Sequence, residues 1–426
     1  MKKIYILPVI SIFSLFQAVL AQSGIPSRTY SVFNTPSVQN TASPTAQWTL
    51  LGKIQEAQAM LQKTPKLKFS EKQIRVKQKN GKYIMRAGDL EKSEISLALL
   101  NVNTGELVER RYWISEEEIK TANTLRKLYI FNSANIPTFT PSDGKHDFAV
   151  TVNWWNYFNS DLSVKHSNSK DAYIVIANKY LFKSEDLAYP EERSKTKYSD
   201  IIYTPYSSAI HTPELIEAGR KFLDSHVEVA FGQLQNLNIK SRAHPGKLVI
   251  ETMTPIFIKN IFTTEQTDPK LVFMAEDRGK SLAERVLVRL GANGEKSYRY
   301  TYSKTGALGL GQIMPGTYNS MVKNYPSAGL IKNTDIGRVD IINSIKASIL
   351  VLDDHYASVV TRARNANQTD LLNAKTPSEV EEIRAAIYNG GPGKYQAATG
   401  TISDKVRETV EFVKKFRLIR GLSLYN

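Results

Sequence analysis

The sequence predicts an α+β protein, with a mixed α+β region rich in β-hairpins over residues 48–240 and a mostly α-helical domain over residues 245–426. Three observations predict it. Runs of β-branched and aromatic residues alternate around Asn-Gly and Asn-Thr-Gly turns in the first half. Apolar residues recur at three- and four-residue spacing in the second half. A chain of 426 residues, 42% of them apolar, has enough hydrophobic material for two or three cores.

Along the chain, Met1-Lys2-Lys3 and the apolar run over residues 4–21, with Val19 and Ala21 at small-residue positions, read as a signal peptide cleaved after Ala21. The alternative is an uncleaved anchor, against which Pro8, Ser11 and Ser14 argue. Residues 22–47, rich in Ser, Thr, Pro and Asn, read as a flexible spacer. Helical spacing over residues 48–61 opens the folded part. Residues 73–86 alternate around Asn80-Gly81 and residues 95–114 around Asn103-Thr104-Gly105, two hairpin signals. Residues 116–130 suit a helix, acidic first and basic later. Residues 148–157 and 171–181 suit strands, and the Trp154-Trp155 pair reads as core under a strand before it reads as a sugar-stacking platform. Thr212-Pro213-Glu214 starts a helix that runs to about residue 234.

The second half reads as helices over residues 254–276, 316–324, 343–363, 377–389 and 403–420. Residues 285–290 and 296–303 alternate on either side of Ala292-Asn293-Gly294, which predicts an inserted hairpin.

Composition excludes several chemistries. With no cysteine there is no disulfide framework, no thiolate nucleophile and no lipid-modified cysteine. The six histidines have no metal-ligand spacing, and no phosphate-binding loop is present, so no cofactor is expected. A formal net charge of +15 favours anionic envelope polymers or lipid headgroups as partners. The basic residues are spread along the chain and accompany no recognition motif, so nucleic acid is not expected.

Two blocks carry the functional signal. Gly306-Ala307-Leu308-Gly309-Leu310-Gly311-Gln312-Ile313-Met314-Pro315 describes a tight turn running into a helix, with bare backbone for close approach. Ile387-Tyr388-Asn389-Gly390-Gly391-Pro392 answers it near the C-terminus. In this order the blocks resemble the lysozyme-like domain of soluble lytic transglycosylases. Ser303, Gly306, Ala307, Gly309, Leu310, Gln312, Met314 and Pro315 match its pattern, while Gly311 replaces a Met and Ile387 an Ala. A long apolar-periodic run opened by Asn343 is similar to the family's middle helix. The resemblance covers roughly residues 245–426.

It implies a lysozyme-like fold, and peptidoglycan glycan strands as substrate. It also implies a sugar groove lined by Ser303, Gln312, Tyr388, Asn389 and the backbone near Gly309. The activity implied is a single glutamate that protonates the oxygen between N-acetylmuramic acid and N-acetylglucosamine, then takes the muramic 6-hydroxyl proton as a 1,6-anhydro ring closes. Two glutamates compete. Glu295 has nearly the family's spacing but follows Gly291, Asn293 and Gly294, a turn where a carboxylate stays solvated. Glu276 ends an apolar run that suits a shielded, helix-borne acid, with Asp277 beside it, and is preferred; Glu284 ranks third. A lysozyme-type hydrolase and an inactive glycan-binding module stay open as alternatives.

Overall fold

The computed structural model describes residues 48–79, 82–127, 137–301, 303 and 305–425. The expected signal peptide, the spacer and the Asn80-Gly81 turn lie outside them.

The first half is built on an antiparallel sheet. Helix α1 (Leu50–Lys63) starts at Thr49, whose hydroxyl accepts from the Gly52 amide, and buries Leu50, Ile54, Ala57 and Leu61. Strands β1 (Phe69–Lys77), β2 (Tyr83–Asn101) and β3 (Leu107–Ser115) follow, then α2 (Glu116–Lys127), the short β4 (Thr140–Pro141), the β5 (Phe148–Trp154) and β6 (Asp161–His166) ribbon, β7 (Tyr173–Lys183) and β8 (Tyr198–Tyr203). The main sheet runs β4-β3-β2-β7-β8, with β1 also paired to β2. Both expected hairpins form: Lys77 faces Tyr83, and Leu100 faces Leu107.

Alternation along β2 explains how the sheet is covered. Ala98 and Leu100 join the core under α1, whereas Ile95, Leu97 and Leu99 point to a second core with Tyr112, Val150 and Trp155. Trp155 is thus core, as the strand reading has it.

Helix α3 (Pro213–Asn236) begins with Thr212 as cap and Pro213 in the first turn. It serves both halves: Leu215 packs in the sheet-side core, and Leu223, Val227, Ala230 and Leu234 pack in the helical one. The remaining elements are α4 (Pro255–Glu265), α5 (Pro269–Met274), α6 (Lys280–Asn293), α7 (Pro315–Asn324), α8 (Thr334–Val339), α9 (Ile341–Asn365), α10 (Thr369–Asn373), α11 (Pro377–Gly390), the small pair β9 (Tyr395–Gln396) and β10 (Thr401–Ile402), and α12 (Arg407–Gly421). Helix α9 lies at the centre, burying Ile341, Ile345, Ile349, Leu350 and Leu352.

Two expectations are corrected. Residues 285–290 are helical, inside α6. Ala283, Val286, Leu287 and Leu290 face the helical core while Val288 and Ala292 face the sheet-side core, so a helix buried on two sides imitates the alternation of a strand. The helix expected over residues 254–276 is two helices. Asp268 accepts from the Lys270 and Leu271 amides, and Pro269 takes the first turn of α5; a proline there cannot continue α4. Helix α4 therefore ends at Glu265.

Candidate active site

The glycine-rich block forms a compact turn held from three sides. Arg338, almost fully buried on α8, donates from Nη1 to the Gly306 carbonyl (2.7 Å) and the Ile313 carbonyl (3.1 Å), closing both ends of the turn. Gln266, the residue after α4, donates from Nε2 to the Gly309 (3.1 Å) and Leu310 (2.8 Å) carbonyls. From α11, the Tyr388 hydroxyl donates to the Gly311 carbonyl at 2.7 Å and lies 2.9 Å from the Ser348 hydroxyl of α9. The turn is thus fixed to α8, to α11 and to the residue after α4 through its backbone carbonyls, with Ser348 of α9 behind the Tyr388 hydroxyl.

This explains the glycines differently from the sequence reading. A Cβ on Gly309, which has φ +75°, would lie 2.0 Å from the Arg338 carbonyl oxygen. One on Gly311 would meet Ser348 Oγ at 2.5 Å and the Tyr388 hydroxyl at 3.1 Å. At both positions the bare side faces protein, so the glycines allow the turn to press onto the helices. Gln312 adopts a left-handed φ of +46°, a strained conformation for a residue with a side chain, and donates from Nε2 to the Gly309 carbonyl at 2.7 Å.

Beside this turn is a cleft of about 370 Å³. Glu265 and Gln266 form its α4 side, Thr301 and Gln312 the turn side, Asn389 the α11 side, and Glu408, Phe412 and Lys415 the α12 side. Burial pushes the Glu265 carboxyl up to about 7; the Lys415 ammonium opposes the shift and the Glu408 carboxylate adds to it. Burial lowers Lys415, and the charges of Glu265 and Asp268 act the other way. Its ammonium donates to the Thr267 carbonyl at 2.6 Å. Burial, and then the charge of Glu265, raise the Tyr388 hydroxyl, so it stays a donor. A carboxylic acid that keeps its proton near neutrality, next to a groove with amide side chains, is equipped to protonate a leaving oxygen.

The structure gathers Ser303, Gly309, Gln312, Tyr388 and Asn389 around this cleft or its turn, and puts the named glutamates elsewhere. Ser303 lies in the turn, its hydroxyl accepting from the Ala307 amide at 2.9 Å. Glu276 is exposed in the bend after α5, because α5 ends at Met274 before reaching it. Neighbouring Asp277 caps α6: burial would raise its carboxyl, but bonds from Ser281, Gly279 and Lys280 hold it below the usual range. Glu295 sits in a short turn after α6, with Oε1 2.6 Å from His226 Nε2. That bond lowers its carboxyl, the opposite of what a general acid requires. Glu284 is 3.3 Å from His211 Nε2.

Glu265 is a cleft carboxyl that the sequence reading did not single out. The signal was present: Asp268-Pro269 marks a helix start, so the preceding helix must end near Glu265. Helices α5 and α6 intervene between this glutamate and the glycine turn.

Comparison with characterised proteins and with solved structures gave no match. Residues 295–409, which include the glycine turn, α9 and the Tyr388-Asn389 helix, match the model of the transglycosylase SLT domain. Within the C-terminal part of the chain, residues 295–409 thus correspond to a transglycosylase SLT domain, a lysozyme-like and mostly helical family associated with peptidoglycan.

Proposed function

We propose that the protein is an exported lytic transglycosylase whose acid and base is Glu265. The observation that carries this reading is the position of Glu265 at the end of α4, in the cleft formed with Gln312 and Asn389, with a carboxyl still half protonated near pH 7. The protonated carboxyl gives its proton to the oxygen between N-acetylmuramic acid and N-acetylglucosamine as that bond breaks. The resulting carboxylate removes the proton of the muramic 6-hydroxyl, whose oxygen closes onto the anomeric carbon; proton and charge balance with no other reactant. Asn389 and Gln312 supply amide groups for the N-acetyl and hydroxyl groups of the sugars. Export rests on the signal-like run over residues 4–21.

A second reading has one observation in its favour. Glu408 and Glu411 line the same cleft, and a second carboxylate is what a water-using glycosidase employs. Mass spectrometry of muropeptides released from purified sacculi separates the two. Anhydro products, one water lighter than hydrolysed ones, support the transglycosylase. Reducing ends would assign the hydrolase, and no release by the wild type would leave a glycan-binding module.

A further inference from the structure

Helices α4 and α11 both end at the cleft, through Glu265 and Asn389. A second cavity, of about 340 Å³, is lined by the cap Thr254 and first-turn Phe257 of α4, and by Pro377, Val380 and, further along the helix, Arg384 of α11. At a rise of about 1.5 Å per residue, the eleven residues of α4 separate the two by about 16 Å.

Arg384 makes this cavity unusual. It is only 2% exposed, yet among the described residues its Nε and Nη1 have no hydrogen-bond partner. Its remaining nitrogen, Nη2, has a long contact of 3.4 Å to His244 Nε2, and its guanidinium lies 4.7 Å from the centre of the Tyr356 ring. Burial lowers the His244 imidazole, with the Arg384 charge adding to the effect, so His244 is no counter-ion for the arginine. The cavity's acidic groups are engaged elsewhere: Glu251 accepts from the Leu248 amide at 2.6 Å, and Glu381 from Arg420 at 3.2 Å. Asp353 and Glu381 act on the guanidinium through their charges but neither bonds it, and a buried guanidinium without a hydrogen-bonded anion is costly. Two helix N-termini add positive potential, and Lys247 adds a cation at the exposed rim. The planar fork of arginine matches a carboxylate, and Met253, Phe257 and Val380 offer apolar wall beside it.

We infer that this second cavity binds the terminal carboxylate of a short, apolar peptide through Arg384, with Lys247 at the entrance. The carboxylate site rests on Arg384; its assignment to the peptide stems of peptidoglycan rests on the function proposed above.

The test is NMR titration of the full chain with D-alanyl-D-alanine and, separately, with inorganic phosphate. Saturable dipeptide binding is expected, weakened about tenfold or more by Arg384→Lys, which keeps the charge but loses the fork, and several-fold by Lys247→Ala. Should Arg384→Lys fail to fold by circular dichroism, the exposed Lys247→Ala decides. Glu265→Gln is expected to bind the dipeptide as the wild type does, so loss of muropeptide release and loss of this site are separate results. No binding by the wild type, unchanged affinity in the folded variants, or binding of phosphate in place of the dipeptide overturns the inference.

Discussion

Glu265 closes α4 and Glu295 sits in the short turn just after α6, and their surroundings drive the two carboxyls in opposite directions. At the end of α4, Glu265 is partly buried between the glycine turn, α11 and α12, and burial pushes its carboxyl up to about 7. At the end of α6, Glu295 remains 55% exposed and bonds His226, which holds its carboxyl below the usual range. The pair teaches that an acid is made by what the fold packs around a helix end; chain spacing to the glycine turn favours Glu295, and shielding favours Glu265.

The largest expected effect breaks the comparison if it fails. Glu265→Gln should lower muropeptide release by about a thousandfold, within the range of a lost general acid, with the fold retained. Glu295→Gln and Glu276→Gln should release at rates close to wild type. A dead Glu295→Gln alongside an active Glu265→Gln would return the assignment to spacing.

The next effect concerns the turn that fixes the Glu265 side of the cleft. Gly309→Ala should destabilise by about 2–4 kcal/mol in denaturant unfolding, since its Cβ meets the Arg338 carbonyl and φ is +75°. Gly306→Ala has φ +93° with nothing within 4 Å, so only the backbone strain of about 1 kcal/mol is expected. Equal losses at the two positions would mean that close packing is not the reason for Gly309.

How much of this was legible follows from the same residues. The glycine turn and the Tyr388-Asn389 helix were readable because backbone demands, tight turns and close approach, fall on residue types that few other arrangements need. Hairpins at 73–86 and 95–114 were readable from their turns, and α3 from Thr212-Pro213. Helix α6 was not, because burial against two cores removes the polar face that gives a helix its period. Glu265 was hidden by a related cause: α4 is buried from Phe257 to Thr264, and its apolar run continues into α5, so the Asp268-Pro269 boundary had to outweigh hydrophobicity.

A smaller effect is expected from Tyr388→Phe. Removing the hydroxyl leaves the Gly311 carbonyl without this donor and Ser348 without its 2.9 Å neighbour. Stability should fall by about 1–2 kcal/mol and release by about tenfold. Full activity would sever α11 from the positioning of the turn.

The smallest effects sharpen the comparison through pH. Because Glu265 is raised in the folded state, its favourable contribution is complete below about 4.5 and is lost as pH rises through about 7. Glu265→Gln should therefore gain on the wild type over that window, by about 1–3 kcal/mol, while losing activity. Glu295 is lowered, so its contribution exists above 4.5 and disappears as pH falls; His226 is raised, so its share exists below 6.5 and disappears as pH rises through its folded value. Their pair is strongest between those limits, and solvent at the half-exposed carboxylate keeps it below about 1 kcal/mol. Glu295→Gln should thus lose a little stability at pH 5.5 and almost none at pH 9. Melting curves of both variants across this range test the contrast directly: two glutamates at helix ends, one whose removal stabilises with rising pH and one whose removal costs stability only in the middle, cannot share an environment.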